Sequence, residues 1–142
     1  MADTAIQLRG EETWSDDAYV RPGPDATSHI WPALRSEVEM AARSEPTLAG
    51  FFSAMVLGHE HFEDALAHAL VTRLADNNLP SGELRKVANA AYANDPAIVH
   101  AGLLDILAVR ERDPASDSFS ETLLYFKGFH ALQAYRIAHW LW

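Results

Sequence analysis

DPAIVHAGLLDILAVRER, residues 95–112, decides the fold class. Asp95 followed by Pro96 reads as a cap and first turn. An aspartate oxygen accepts from the backbone N–H groups that open a helix, and proline at the first helical position has no N–H to leave unpaired. The helix so opened carries Ile98, Val99, Leu103, Leu104, Ile106, Leu107 and Val109 and leaves no wide polar face. That is the pattern of a helix buried on several sides. It is expected to sit at the centre of an all-α domain.

Working back towards the amino terminus, Ser81 and Glu83 precede Leu84, Val87, Ala88 and Ala91, which predicts a fourth helix. Phe62, Leu66, Leu70 and Leu74 recur every four residues beside Ala65 and Ala69. They predict a third helix that dissolves into the Asp76-Asn77-Asn78-Leu79-Pro80 loop. Ser44-Glu45-Pro46 offers a cap and a proline for a second helix, with Leu48, Phe51, Phe52 and Met55 on one face and an end near Gly58. Trp31, Leu34, Val38 and Ala41, with Arg35, Glu37, Glu39 and Arg43 between them, predict the first.

Working forward, the Arg112-Asp113-Pro114-Ala115 turn and a serine-rich connection lead to a last helix. It is expected to run from about Glu121 through Leu123, Phe126, His130 and Ile137 to Leu141. No alternating β pattern or internal repeat interrupts this reading, so about six helices in a bundle of helical hairpins are expected. Trp140, Leu141 and Trp142 carry no glycine or polar cap, from which more chain is expected to follow. Residues 1–27, with Asp3, Glu11, Glu12, Asp16, Asp17 and Asp25 and then the turn-rich RPGPDATS (21–28), read as a mobile acidic leader ahead of a domain over residues 28–142.

The 142 residues are 49% hydrophobic, enough for one ordinary domain with a real core. A net charge of -9 opposes binding to a phosphate backbone, so nucleic acid is an unexpected partner. No apolar run approaches the roughly 20 residues that span a bilayer, and the first residues lack the basic flank of a secretory signal. No membrane association and a cytoplasmic location are therefore expected. The absence of cysteine leaves histidine and carboxylates as the only metal-ligand types.

Among those, His59, Glu60, His61 and His68 invite a metal reading, but residues two apart face different sides of a helix and no HExxH spacing occurs. No metal site is expected. His130 lies on the apolar stripe of the last helix without a marked nucleophile nearby and reads as a packed core histidine. Asp105, inside the most apolar helix, calls for a cation such as Arg110 or Arg136 in a structural ion pair. Asp113 is pushed out of the α region by Pro114 and presents its carboxylate on a polar turn, as an Asx turn or helix cap. The aromatic run from Phe119 to Trp142 reads as core packing plus an oligomer or domain interface. There is no glycine-rich phosphate loop and no serine elbow.

AVRERDPA (108–115) and LLYFKGFHALQAYRIAHWLW (123–142), with Asp95-Pro96, EPTLAGFF (45–52) and GHEHFEDALAHAL (58–70), closely resemble the amino-terminal helical domain of bacterial serine acetyltransferases. The likeness reaches back to about Ile30-Trp31. It implies an enzyme of cysteine biosynthesis that transfers acetyl from acetyl-CoA, its co-substrate, to the hydroxyl of L-serine, giving O-acetyl-L-serine and CoA. In that family a left-handed parallel β-helix, absent from this sequence, carries the catalytic histidine, its aspartate partner and the coenzyme A site.

The resemblance therefore implies no catalytic, cofactor-binding or metal residue in this chain, and no activity of the chain alone. It implies one substrate contact, Asp113, whose carboxylate would hold the ammonium group of L-serine or of the inhibitor L-cysteine. It also implies a homo-oligomer, trimers pairing into a hexamer through this domain. The carboxy-terminal tail that docks into O-acetylserine sulfhydrylase is missing, which weighs against that partnership. A free-standing, non-catalytic helical oligomerisation module is the alternative.

Overall fold

The structure, a computed structural model, describes residues 26–142, and every regular element in that range is helical. The expected leader lies outside the described residues except at its end, where Thr27 is already buried. Helix α1 spans Ile30–Ser44 and buries Ile30, Leu34 and Val38, a stripe at four-residue spacing.

The expected second helix is a composite. A 3-10 turn, Pro46–Leu48, leads into a four-residue α2, Ala49–Phe52, which widens into a π-turn at Ser53–Leu57. The foreseen cap does not form, because the Ser44 hydroxyl turns back to the Met40 carbonyl at 3.1 Å. At the far end Gly58 N donates to Ser53 O at 2.8 Å, and a Cβ on Gly58 would lie 2.9 Å from that oxygen, so glycine is required there. Residues of α1 hold the exit: the Arg35 guanidinium donates to the carbonyls of Val56, Leu57 and His59, and Trp31 Nε1 donates to Glu60 O at 2.9 Å.

Helix α3, Phe62–Leu74, buries Phe62, Ala65, Leu66, Ala67, Ala69, Leu70 and Val71. Helix α4, Ser81–Asn94, starts with Ser81 inside the helix and Pro80 as its cap residue. Helix α5, Pro96–Arg112, opens as read: Asp95 Oδ1 accepts from Ala97 N at 3.2 Å. No residue from Ile98 to Val109 is exposed, in keeping with the expected central position. Only Ile98, Gly102 and Ile106 are buried, while Val99, Leu103, Leu104, Leu107 and Val109 are half-buried. Helix α3 buries more of its residues, although Asp64, Thr72, Arg73 and Leu74 are exposed.

The last helix also differs from expectation. It is two helices, α6 at Phe119–Tyr125 and α7 at Lys127–Leu141, separated at Phe126, which is extended with φ -83 and ψ 103. The break is stabilised because the carbonyls that α6 leaves free are received elsewhere. His130 Nε2 bonds Leu123 O at 2.7 Å, and Arg73 of α3 donates to Leu124 O. Helices α5 and α7 pack together. At their approach Gly102 is buried, and a Cβ there would meet Gln133 Oε1 at 3.3 Å and Phe62 Cε1 at 3.4 Å.

Candidate functional site

Asp113 stands at the carboxy-terminal cap of α5 with φ -95 and ψ 107, outside the α region as Pro114 demands. Its backbone N–H closes the helix on Val109 O at 2.8 Å. Its Oδ1 accepts from Ala115 N at 2.9 Å and its carbonyl from Ser116 N at 3.0 Å, so the Asx turn read from the sequence is present. Among the described residues Asp113 Oδ2 has no hydrogen-bond or ion-pair partner. The side chain is half-buried and borders an open cleft of about 620 Å³ between α5 and α7. Val109 and Arg112 supply one wall, and Phe126, Phe129 and Leu132 the other.

Asp105 also lines this cleft, two helical turns before Asp113. Its expected cation is Arg136, whose guanidinium spans both carboxylate oxygens; the contact to Oδ1 is 3.2 Å. Gln133, fully buried, donates to Asp105 Oδ2 at 2.7 Å and accepts from Arg136 Nη1 at 2.9 Å. This closed set of contacts fixes α7 against α5 and leaves Asp105 fully engaged. Arg110, the other cation considered, lies instead over the Phe119 ring at 4.1 Å.

His130 is buried, and since a carbonyl only accepts, its Nε2 carries the proton given to Leu123 O. Its Nδ1 has no partner. Burial, with Arg73 nearby as a smaller contribution, holds its pKa below the usual 6.5 despite the opposing bond to Leu123. The packed-histidine reading holds. His59 and His68 lie with ring centroids 5.2 Å apart, His68 Nδ1 is 3.0 Å from Arg85 Nη2, and His59 Nε2 is 3.0 Å from Ala54 O. Burial first, then His59 and Arg85, lowers the pKa of His68. Among the described residues no three metal-ligating side chains converge.

Sequence reasoning did not find Gln133 or Glu37 as parts of this region. The Glu37 carboxylate, from the middle of α1, accepts from Phe119 N at 3.2 Å and Ser120 N at 2.9 Å. Nothing local in the sequence signals a contact between residues 82 and 83 positions apart.

The family model described as serine acetyltransferase, N-terminal, matches residues 30–134. The chain belongs to the serine acetyltransferase family. The serine acetyltransferase of Salmonella typhimurium is 48% identical over 113 residues, covering 80% of this chain and 41% of that protein. A serine acetyltransferase structure in complex with cysteine is 42% identical with a TM-score of 0.79, covering 82% of this chain and 45% of the other. A soybean serine acetyltransferase complexed with serine is 38% identical with a TM-score of 0.78, covering 84% of this chain and 49% of the other.

The chain thus spans about two fifths of the length of that Salmonella relative. Within the family match lie the Asp113 turn, the cleft beside it and the Asp105–Gln133 bond; Arg136 lies just past it. No helix among the described residues is long and apolar enough to cross a membrane.

Proposed function

We propose that this chain is the helical, amino-terminal part of a serine O-acetyltransferase that converts acetyl-CoA and L-serine into O-acetyl-L-serine and CoA in the cytoplasm. Residues 28–142 form the domain and residues 1–27 its acidic leader. Its own tasks are subunit association and contribution of one carboxylate to the amino-acid pocket. The observation that carries this reading is Asp113: a turn holds one of its oxygens, and the other stays available at the edge of a largely apolar cleft. A carboxylate so placed suits a primary ammonium group, with which it forms charge-assisted hydrogen bonds. The relatives complexed with serine and with cysteine carry such groups on their ligands.

Acyl transfer to a hydroxyl needs a base within hydrogen-bond reach of that hydroxyl. His130 is unsuited, being buried with its protonated nitrogen committed to Leu123 O. The base and the coenzyme A site belong to the β-helix domain, so this chain alone is inactive. Association into trimers that pair as hexamers is supported by exposed apolar side chains on one region of the domain. Phe51 and Tyr125 stack there with centroids 6.5 Å apart, and both are exposed.

Asp113→Asn in the complete enzyme separates turn from ligand contact, because asparagine still accepts from Ala115 N but carries no charge. Losing a charge-assisted bond is worth about 1.5–3 kcal/mol, so the KM for serine should rise about ten- to hundredfold and cysteine inhibition weaken in parallel. The KM for acetyl-CoA should hold. Thiol release from acetyl-CoA measures all three. Unchanged serine and cysteine affinities would return Asp113 to a purely turn-forming role, and serine-dependent release by the 142-residue chain itself would overturn the assignment of the chemistry to another domain.

A further inference from the structure

The turn that presents Asp113 runs only from residue 113 to residue 118 and is tied down at both ends. Upstream it continues α5. Downstream it must enter α6, a helix of seven residues, too short to persist without support from its neighbours. The first N–H groups of such a helix have no partner within it. Three of them are supplied here: Ser118 Oγ accepts from Glu121 N at 3.3 Å, and the Glu37 carboxylate takes Phe119 N and Ser120 N, one on each oxygen.

Phe119, held by Glu37 at its backbone and buried at its side chain, supports the Arg110 guanidinium on its ring. Arg110 lies in the last turn of α5, three residues before Asp113. Inside the turn Ser116 Oγ donates to Ser118 O at 3.3 Å. The chain from 110 to 120 is therefore a closed loop whose far anchor is a side chain of α1. Glu37 does not line the cleft, so it can reach a ligand there only through the loop.

We propose that Glu37 is a positioning residue for amino-acid binding: by fixing the start of α6 it fixes where the Asp113 carboxylate stands. The proposal rests on the reading of Asp113 as the ammonium contact. A shift of about 1 Å in a binding group from a change outside the chemistry is enough to alter kinetics up to a hundredfold. Glu37→Gln keeps the length of the side chain but turns one acceptor into a donor, so only one of the two N–H bonds can survive.

In the complete enzyme, Glu37→Gln should raise the KM for serine about three- to tenfold, leaving the KM for acetyl-CoA and kcat at saturating serine near the parent values. Glu37→Asp, which keeps two acceptors, should recover part of the loss. In the Asp113→Asn background, Glu37→Gln should add less than about twofold, since both act through one carboxylate. A merely structural Glu37 would lower the melting temperature and leave the KM for serine alone.

If Asp113→Asn raises that KM and folded Glu37→Gln does not, the proposal fails while the Asp113 reading stands. If Asp113→Asn itself leaves it unchanged, both fall. Should Glu37→Gln not fold, Arg110→Gln at an exposed position breaks the same loop. It should raise the KM for serine about twofold or more, and an unchanged value would overturn the proposal.

Discussion

In α3 seven residues are buried, Ala65, Leu66, Ala67 and Ala69 fully and Phe62, Leu70 and Val71 nearly so, while Asp64, Thr72, Arg73 and Leu74 are exposed. In α5, which carries more large aliphatic side chains, the buried positions are Ile98, Gly102 and Ile106 alone, and the leucines at 103, 104 and 107 are half-buried. Full burial of a side chain depends on how closely neighbours can come, and the alanines of α3 give α4, α6 and α7 room to do so. Large side chains all round α5 hold neighbours at a distance except where Gly102 lets α7 in. The apolar surface left on α5 is more than this domain covers by itself, in keeping with the association proposed for it.

The sharpest test of that contrast is a pair of truncations. Leu66→Ala should destabilise the chain by about 2–5 kcal/mol, the usual range for a fully buried leucine. Leu104→Ala, at a half-buried position, should cost about 1 kcal/mol or less. Urea unfolding of the two variants measures both. Equal losses would mean that α5 is as enclosed as its composition suggests, and the contrast with α3 would be lost.

A smaller effect distinguishes two ion pairs. Asp105 and Arg136 are about three-quarters buried and share Gln133, whereas the Glu39 and Arg43 side chains are 49% and 78% exposed and lie 3.8 Å apart. Arg136→Met leaves Asp105 and Gln133 short of a donor in a semi-enclosed place and should cost about 1–3 kcal/mol. Arg43→Ala should leave the unfolding midpoint unchanged, because solvent already screens that pair. A loss on Arg43→Ala equal to that on Arg136→Met would show that burial does not rank these pairs.

The same contrast explains what the sequence made legible. Helix existence follows from local signals, and the Asp95-Pro96 start, the periodicity of α1 and α3 and the Asp113-Pro114 exit were all readable. Which helix buries most of its side chains was not, because apolar content counts side chains and not their neighbours' reach. Nor was the break at Phe126: the apolar spacing from Leu123 to Ile137 continues across it, and the partners that make it favourable, Arg73 and His130, come from other helices. At the candidate site Asp113 was readable from its proline and from the family resemblance. Glu37 and Gln133 act across long sequence separations, where no pattern of neighbours could mark them.

The two perturbed histidines extend the comparison to pH, with the smallest expected effect. His68 in α3 and His130 in α7 both have pKa values lowered from 6.5, each chiefly by burial. In the unfolded chain they regain ordinary values, so the unfolded state binds more protons as pH falls through about 6.5. Stability contributed by keeping them neutral is therefore present above that pH and lost below it. The melting temperature should be level from pH 8 to about 7 and fall between about 6.5 and 5.5, before carboxylates begin to titrate.

His130→Gln, which can still donate to Leu123 O but cannot take up a proton, should flatten that fall. His68→Gln should flatten it less, because His68 is only half-buried whereas His130 is buried. If His68→Gln has the larger effect, the neighbouring charges of His59 and Arg85 outweigh burial, and electrostatics among side chains, more than enclosure, sets proton affinity in this core.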